Sequence, residues 1–186
     1  MFRQLLRARI DMSRVFLPAL AAAFLLTTSG VTAHHASNAF FGGPEVLVTG
    51  TLTGTRLVNP HSYFRITMDD GTEWVFESAG SGTMLRNDGL TEADFASGQR
   101  VAMTGESNRQ GRKNARIITM AFYGETEDDD LRLFIIGASV PNAAWAQQID
   151  AEAPRCNDGT IARCYSVSSE LRAEVEAGLT GEHGFW

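Results

Sequence analysis

The sequence lacks the short motifs that accompany several large enzyme classes. It contains no phosphate-binding P-loop, no dinucleotide-binding glycine fingerprint and no G-x-S-x-G nucleophile elbow. No serine stands beside residues that would activate it as a nucleophile. Serine hydrolase chemistry, P-loop phosphoryl transfer and Rossmann-type redox chemistry are therefore not indicated.

Basic residues are in the minority, with 16 Lys and Arg against 22 Asp and Glu. A protein that binds a nucleic-acid backbone needs a concentrated basic footprint on its surface. Nucleic acid is therefore not an expected partner.

Long hydrophobic runs are also scarce. The one present, Val15 to Leu26, follows four arginines and precedes the small-residue sequence Val31-Thr32-Ala33. A membrane span needs about 20 apolar residues, so this run is better explained as the core of a signal peptide over residues 1–33. An uncleaved anchor is the alternative. The prediction is a periplasmic or secreted protein with no membrane span after cleavage, and with 12 Lys and Arg against 21 Asp and Glu, a net charge of -9.

There are only two cysteines, Cys156 and Cys164. In an exported chain such a close pair predicts a local disulfide, although a turn at 158–159 would place Cys156 opposite Ile161. Their C-x7-C spacing does not match a zinc knuckle, and two cysteines alone cannot complete a tetrahedral zinc site.

Residues 46–77 predict two strands that meet at the tripeptide Asn59-Pro60-His61 and a third strand that returns through a tight turn at 69–71. The first strand is rich in valine, leucine and threonine, and its glycines Gly50 and Gly54 predict a bend that lets it pair on two sides. A three-residue turn at 69–71 gives the next two strands one almost wholly apolar face, whereas a two-residue turn mixes the faces. The predicted pairs are Met68 with Thr72, Ile66 with Trp74, and Phe64 with Phe76.

A short helix at 81–87, with Met84 and Leu85 directed inward, separates these strands from two more at 100–105 and 115–122. The order strand, strand, strand, helix, strand, strand predicts a mainly β fold, a small five-stranded OB-like barrel. An open half-barrel or a sandwich is the alternative.

Three segments follow from this organisation: the signal peptide at 1–33, the barrel domain at 34–139, and an irregular and helical extension at 140–186. Residues 131–138 are apolar enough for a further strand or a docked segment. The extension is predicted to begin as a linker with a weak helical turn at Trp145. It continues with the cysteine loop and a helix at 168–177 that stops at Gly178.

Histidines supply the candidate metal site. Cleavage before His34 gives that residue a free α-amine beside its imidazole, and this pair of nitrogens chelates Cu(II). His35 or His61 would add an imidazole, and Glu77, diagonal to His61 at about 7 to 8 Å across the strand pair, would orient His61 or act as a ligand. The hypothesis is a copper site, with zinc as second choice, formed by His34, His35, His61 and Glu77. The alternative is that the two N-terminal histidines serve no site.

The same strand face offers a surface for a small ligand, formed by Tyr63, Arg65 and Glu77. Arg65 is also diagonal to Glu77, so an ion pair between these two is the alternative to a contact of Glu77 with His61. His61, Tyr63 and Glu77 are the nearest acid-base set, but no catalytic residue is assigned.

Three functions stay open at this point. The first is a periplasmic binding protein for copper or another divalent metal. The second is an accessory subunit of a periplasmic oxidoreductase or envelope complex, which would use an exposed sheet edge and the aromatic C-terminal tail. The third is an enzyme that acts on a small hydrophobic ligand.

Several short motifs together resemble a family of small exported bacterial proteins with a domain of unknown function. The motifs are Ala33-His34-His35, Thr49-Gly50-Thr51-Leu52, Asn59-Pro60-His61, Trp74-Val75-Phe76-Glu77, Met84-Leu85-Arg86 and the strand from Val101 to Gly105. The resemblance covers residues 34–137. It implies an exported, barrel-like domain in which the histidine pair and the Asn-Pro-His turn are family features, and it implies no particular activity. The tail beyond Ser139 departs from the pattern.

Overall fold

The computed structural model describes residues 37–126, 129–137 and 140–181. The elements are, in chain order, α1 (Ser37–Phe40), β1 (Phe41–Arg56), β2 (Tyr63–Thr67), β3 (Glu73–Glu77), α2 (Gly82–Asn87), a 3-10 helix (Glu92–Phe95), β4 (Arg100–Asn108), β5 (Asn114–Phe122), β6 (Leu131–Ile136), α3 (Ala144–Glu152), β7 (Ala162–Val167) and α4 (Ser169–Thr180). From Phe40 onward the described residues form one compact unit. The predicted signal peptide and the histidines His34 and His35 lie outside the described residues. No helix in the described ranges is long and apolar enough to cross a membrane.

The strands belong to one seven-stranded sheet in the order β3-β2-β1-β4-β5-β6-β7, and neighbours in this order are antiparallel. One further pairing is parallel and joins β3 to β5 through Val75 with Asn114, Phe76 with Ala115 and Glu77 with Arg116. The pairings among β1, β2, β3, β5 and β4 therefore return to β1. The prediction of a mainly β chain is confirmed.

The first strand pairs on two sides, as its glycines predict. Its N-terminal part pairs with β4 and its C-terminal part with β2, and Thr51 faces both Arg100 and Thr67. The register with β2 shifts between Leu52 and Gly54. A Cβ atom on Gly50 would lie 2.4 Å from the carbonyl oxygen of Thr67, so the absence of a side chain at Gly50 permits the close approach of β2.

The predicted register of β2 and β3 is confirmed. Ile66 pairs with Trp74 and Phe64 with Phe76, while the amide of Met68 donates to the carbonyl of Thr72 at 2.9 Å. The apolar face of this hairpin forms part of the main hydrophobic core. There the ring of Phe64 meets Phe95 edge-on, with centroids 5.0 Å apart.

The short helix α2 lies where the sequence predicts it, with one correction. The Ser81 hydroxyl caps it by accepting a hydrogen bond from the Met84 amide at 3.2 Å. Leu85 is fully buried, but Met84 is 40% exposed, so the prediction that both side chains point inward is wrong for Met84. Adjacent positions on a helix are about 100° apart, and with Leu85 at the centre of the buried face, Met84 lies at its exposed edge.

The C-terminal extension contains more regular structure than predicted. The stretch predicted as a linker contains α3, whose Trp145 and Ile149 are buried. Before the extension, residues 131–136 form a strand, which is one of the two alternatives predicted for 131–138. The predicted helix stop at Gly178 is wrong, because α4 continues to Thr180 and ends at Gly181 with φ of 80°. Gly178 lies against the indole of Trp145, since a Cβ atom there would be 2.4 Å from Trp145 Cδ2. Its role is close helix packing, not helix termination.

The predicted disulfide between Cys156 and Cys164 is present. The expected pairing of Cys156 with Ile161 is wrong, because the amide of Cys156 donates to the carbonyl of Cys164 at 2.9 Å. Asn157 also binds this strand, since its Oδ1 accepts from the Cys164 amide at 3.0 Å and its Nδ2 donates to the Ala162 carbonyl at 2.9 Å. The cysteine loop therefore folds back along β7.

Asp88, just after α2, fastens the same loop from the other side. Its carboxylate accepts hydrogen bonds from the backbone amides of Thr160, Ile161 and Ala162 at 3.0, 2.8 and 2.8 Å. Burial raises the pKa of Asp88, but these amide hydrogen bonds lower it and prevail, so the pKa lies below its ordinary value. One carboxylate thus joins the end of α2 to the start of β7.

Candidate functional site

The Asn59-Pro60-His61 turn is held against the start of α2. Asn59 contacts Thr83 twice: its Oδ1 accepts from the Thr83 amide at 3.1 Å, and its Nδ2 donates to the Thr83 hydroxyl at 3.0 Å. The Gly82 amide donates to the Val58 carbonyl at 2.9 Å. These contacts fix the backbone immediately before His61.

The backbone after His61 is fixed by the β2–β3 hairpin. Beyond the last strand pair, the amide of Ser78 donates to the carbonyl of Ser62 at 2.8 Å. Both serines are fully buried. His61 is therefore positioned beside Ser78 by main-chain hydrogen bonds on both sides of the turn.

The His61 ring meets two acceptors through the same nitrogen. Its Nδ1 lies 3.1 Å from Glu77 Oε1 and 3.2 Å from the Ser78 carbonyl oxygen. A proton on Nδ1 satisfies these acceptors, and the neutral ring then carries its lone pair on Nε2. The side chains of His61 and Glu77 are 30% and 20% exposed, so the ring is oriented by the protein and still open to solvent.

Tyr63 adjoins this pair on the same strand face. It is directly opposite Glu77 in the hairpin. Burial and the negative charge of Glu77 raise the pKa of the Tyr63 phenol. The raised pKa keeps the Tyr63 phenol protonated at neutral pH, so its hydroxyl is available as a hydrogen-bond donor.

Arg65 does not take the carboxylate of Glu77. It is exposed and faces Val75 across the hairpin. Within the described part of the chain, no ion pair joins it to Glu77 or to Glu73. The alternative in which Arg65 pairs with these glutamates is therefore wrong, and Glu77 contacts His61.

Of the four residues predicted to bind metal, the structure brings His61 and Glu77 together. His34 and His35 fall in the first 36 residues, which the structure does not describe. Among the described residues, no group of three or more His, Cys, Asp and Glu side chains is arranged to hold a metal ion.

A shallow groove of about 220 Å³ opens on the other side of Tyr63. Its lining comes from β1, β2 and β3: Gly54, Thr55, Arg56, Tyr63, Phe64, Arg65 and Val75. Tyr63 and Arg65 are two of the three predicted ligand-binding residues, while Glu77 is not part of the lining. Sequence reasoning missed Arg56, because the first strand gave no sign of where its pairing with β2 would end.

The chain matches the model of a family of unknown function, DUF6152, over residues 23–116. The match begins inside the predicted signal peptide and ends within β5. Searches of the curated proteins and of the solved structures found no match.

Proposed function

This chain belongs to DUF6152, a family of unknown function, and we propose that it is a periplasmic metal-binding protein built on an OB-like β-barrel. The metal is a divalent ion, with copper as first choice and zinc as second. The ligands are the imidazole of His61 and nitrogen donors from the N-terminal histidines His34 and His35.

The cyclic strand pairing supports the barrel. Five strands pair in the order β1-β2-β3-β5-β4 and back to β1, and the β3–β5 contact is parallel while the others are antiparallel. The helix α2 lies between β3 and β4 in the chain. A five-stranded Greek-key barrel of the OB type has this arrangement, and its surface commonly carries a binding site.

The observation that carries the metal proposal is the orientation of His61. A histidine that ligates a metal commonly donates its second ring N–H to a carboxylate or a backbone carbonyl, which fixes the tautomer and raises the basicity of the ligating nitrogen. His61 has both kinds of acceptor at Nδ1. Glu77 is therefore assigned the orienting role, and Nε2 is the atom offered to the metal.

Copper is the first choice because of the donor set. Two or three imidazoles and a terminal amine form a nitrogen-rich site, which copper favours over the other divalent ions of the first transition row. Export supplies one of these donors, because cleavage after Ala33 is the step that would create the free α-amine at His34.

The test is a calorimetric titration of Cu(II) and Zn(II) into the exported protein, with the N-terminus fixed by intact-mass measurement. His61→Ala is expected to weaken binding by at least about 100-fold, and Glu77→Gln by about 10- to 100-fold, as for other outer-shell partners. An additional residue before His34 should also weaken binding. His183→Ala, which alters the one histidine outside the proposed set, is the control and should leave the affinity unchanged. Equal affinity in all four variants and the parent protein would refute the proposal.

A further inference from the structure

The groove beside Tyr63 owes its shape to a missing side chain. Gly54 on β1 lies opposite Arg65 on β2, and Arg56 lies opposite Tyr63. A Cβ atom on Gly54 would meet its nearest neighbour, Arg65 Cβ, at 3.8 Å, which is an ordinary contact. The position therefore tolerates a side chain sterically. Because it is a glycine, open space remains between Arg56 on β1 and Arg65 on β2.

The charge in this groove has one sign. Its lining includes two arginines and no carboxylate, although acidic residues outnumber basic ones in the chain by 22 to 16. Across the described ranges, the guanidinium groups of Arg56 and Arg65 have no hydrogen-bond or ion-pair partner. The surface residues Arg100 and Arg86 differ in this respect, since Arg100 contacts Asp69 at 2.6 Å and Arg86 donates to the Leu57 carbonyl at 2.9 Å.

We propose that this groove is a second binding site, separate from His61, that takes a small organic anion with its oxyanion group on Arg56 and Arg65. A guanidinium presents two parallel N–H donors that match the oxygens of a carboxylate or a phosphate. The Tyr63 hydroxyl adds a neutral donor at the same rim. Val75 and the Tyr63 ring form the apolar wall for the rest of the ligand.

The size of the groove limits the ligand. Pockets for drug-sized molecules have volumes of about 300 to 1,000 Å³, and this groove, at about 220 Å³, is smaller. A single-ring carboxylate or phosphate monoester fits this description better than a nucleotide or a peptide does. Glu77 lies directly opposite Tyr63, and its negative charge disfavours a ligand with a second negative group at that end of the groove.

The experiment is a titration of the full exported chain followed by amide chemical shifts in two-dimensional NMR, at constant ionic strength. The probes are benzoate, phenyl phosphate and inorganic phosphate, and benzyl alcohol is the uncharged control. Saturable shifts in β1 and β2 are expected with benzoate, phenyl phosphate or both, and not with benzyl alcohol. The better of the two aromatic anions identifies the oxyanion class, and inorganic phosphate measures what the ring contributes.

Substitutions distinguish specific anion binding in the groove from nonspecific electrostatic attraction to the protein surface. Arg56→Gln and Arg65→Gln should each raise Kd for the better anion at least about tenfold, the loss expected for one charge-assisted pair of about 1.4 kcal/mol. Arg100→Gln removes a surface arginine outside the groove and should change nothing. Gly54→Leu keeps both arginines but fills the space, and it should also abolish the saturable shifts.

Absence of saturable shifts in the parent protein, or the same Kd in the Arg56→Gln/Arg65→Gln double variant, would overturn the proposal. The metal affinity of that double variant should match the parent, so the two sites are tested independently.

Discussion

Replacing Asp88 with alanine is expected to destabilise the protein substantially, although the residue is only partly buried and belongs to no proposed site. One carboxylate accepts three backbone hydrogen bonds from residues 160–162, more than 70 positions away in the chain. The substitution to alanine removes all three of these hydrogen bonds at once and leaves every other side chain unchanged.

The magnitude follows from the surroundings of the three amides. Thr160 is exposed, so water can replace the lost acceptor there, whereas Ala162 is fully buried and Ile161 is intermediate. A hydrogen bond to a charged group contributes about 1.5 to 3 kcal/mol, and two of them at the lower end give about 3 kcal/mol. For a chain of this length, about 2 to 4 °C per kcal/mol converts this loss to a Tm lowered by about 6 to 12 °C. Asp88→Asn keeps one acceptor oxygen and should lose about half as much.

The assay is urea unfolding followed by circular dichroism, at several pH values between 7 and 3. The pKa of Asp88 is lowered in the folded protein, so its contribution to stability is fully present above the pKa of about 3.9 in the unfolded chain. That contribution is lost as the pH falls through the folded pKa. The stability difference between the parent and Asp88→Asn should therefore be constant from pH 7 to about 5 and shrink below about 4.

Asp158→Ala is the matched control, because Asp158 is an exposed aspartate in the cysteine loop to which Asp88 binds. A loss below about 1 kcal/mol in Asp88→Ala, or the same loss in the control, would contradict the assigned role, since surface substitutions usually stay within about 0.5 kcal/mol. A difference between parent and Asp88→Asn that persists unchanged to pH 3 would contradict the electrostatic part of the reasoning.

Two further substitutions test the packing of α3 against α4 and a buried hydrogen bond between β4 and β5. Gly178→Ala places a methyl group against the Trp145 indole, and overpacking of this kind should cost about 1 to 3 kcal/mol in urea unfolding; a more stable variant would show that α3 and α4 are not in close contact. Thr104→Val leaves the buried hydroxyl of Thr119 without its partner at 2.7 Å and should cost about 1 to 3 kcal/mol, whereas Thr104→Val/Thr119→Val should recover most of the loss. Additive losses in that double variant, measured by the same unfolding curves, would contradict the pairing.

The hairpin of β2 and β3 could be predicted from the sequence because its information is local. The alternation around Phe64 and Ile66 and the turn at 69–71 allow one register that separates apolar from polar side chains. The structure has that register, and it brings His61 to Glu77. The candidate site was predictable to the extent that it depends on this hairpin.

Contacts between residues far apart in the chain could not be predicted in the same way. Trp145 and Gly178 explain each other, but the contact joins residues far apart in the chain, and neither position reveals it alone. Asp88 directly follows the predicted helix at 81–87, and nothing near it in sequence indicates three distant amides as partners. Arg56 was missed for a related reason, because the groove lies where the register of β1 against β2 has shifted beyond Leu52, and the sequence gives no sign of that shift.

The strand β7 ends the sheet, and an end strand with free amides and carbonyls is a template on which another chain can assemble. In this protein its outward-facing groups are already used. The amide of Ala162 donates to Asp88, that of Cys164 to Asn157, and that of Ser166 to the Pro154 carbonyl at 2.9 Å. The carbonyls of Ala162 and Cys164 accept from Asn157 and Cys156. Two side chains and a disulfide-linked loop thus act as an eighth strand, and they prevent the sheet from growing between molecules.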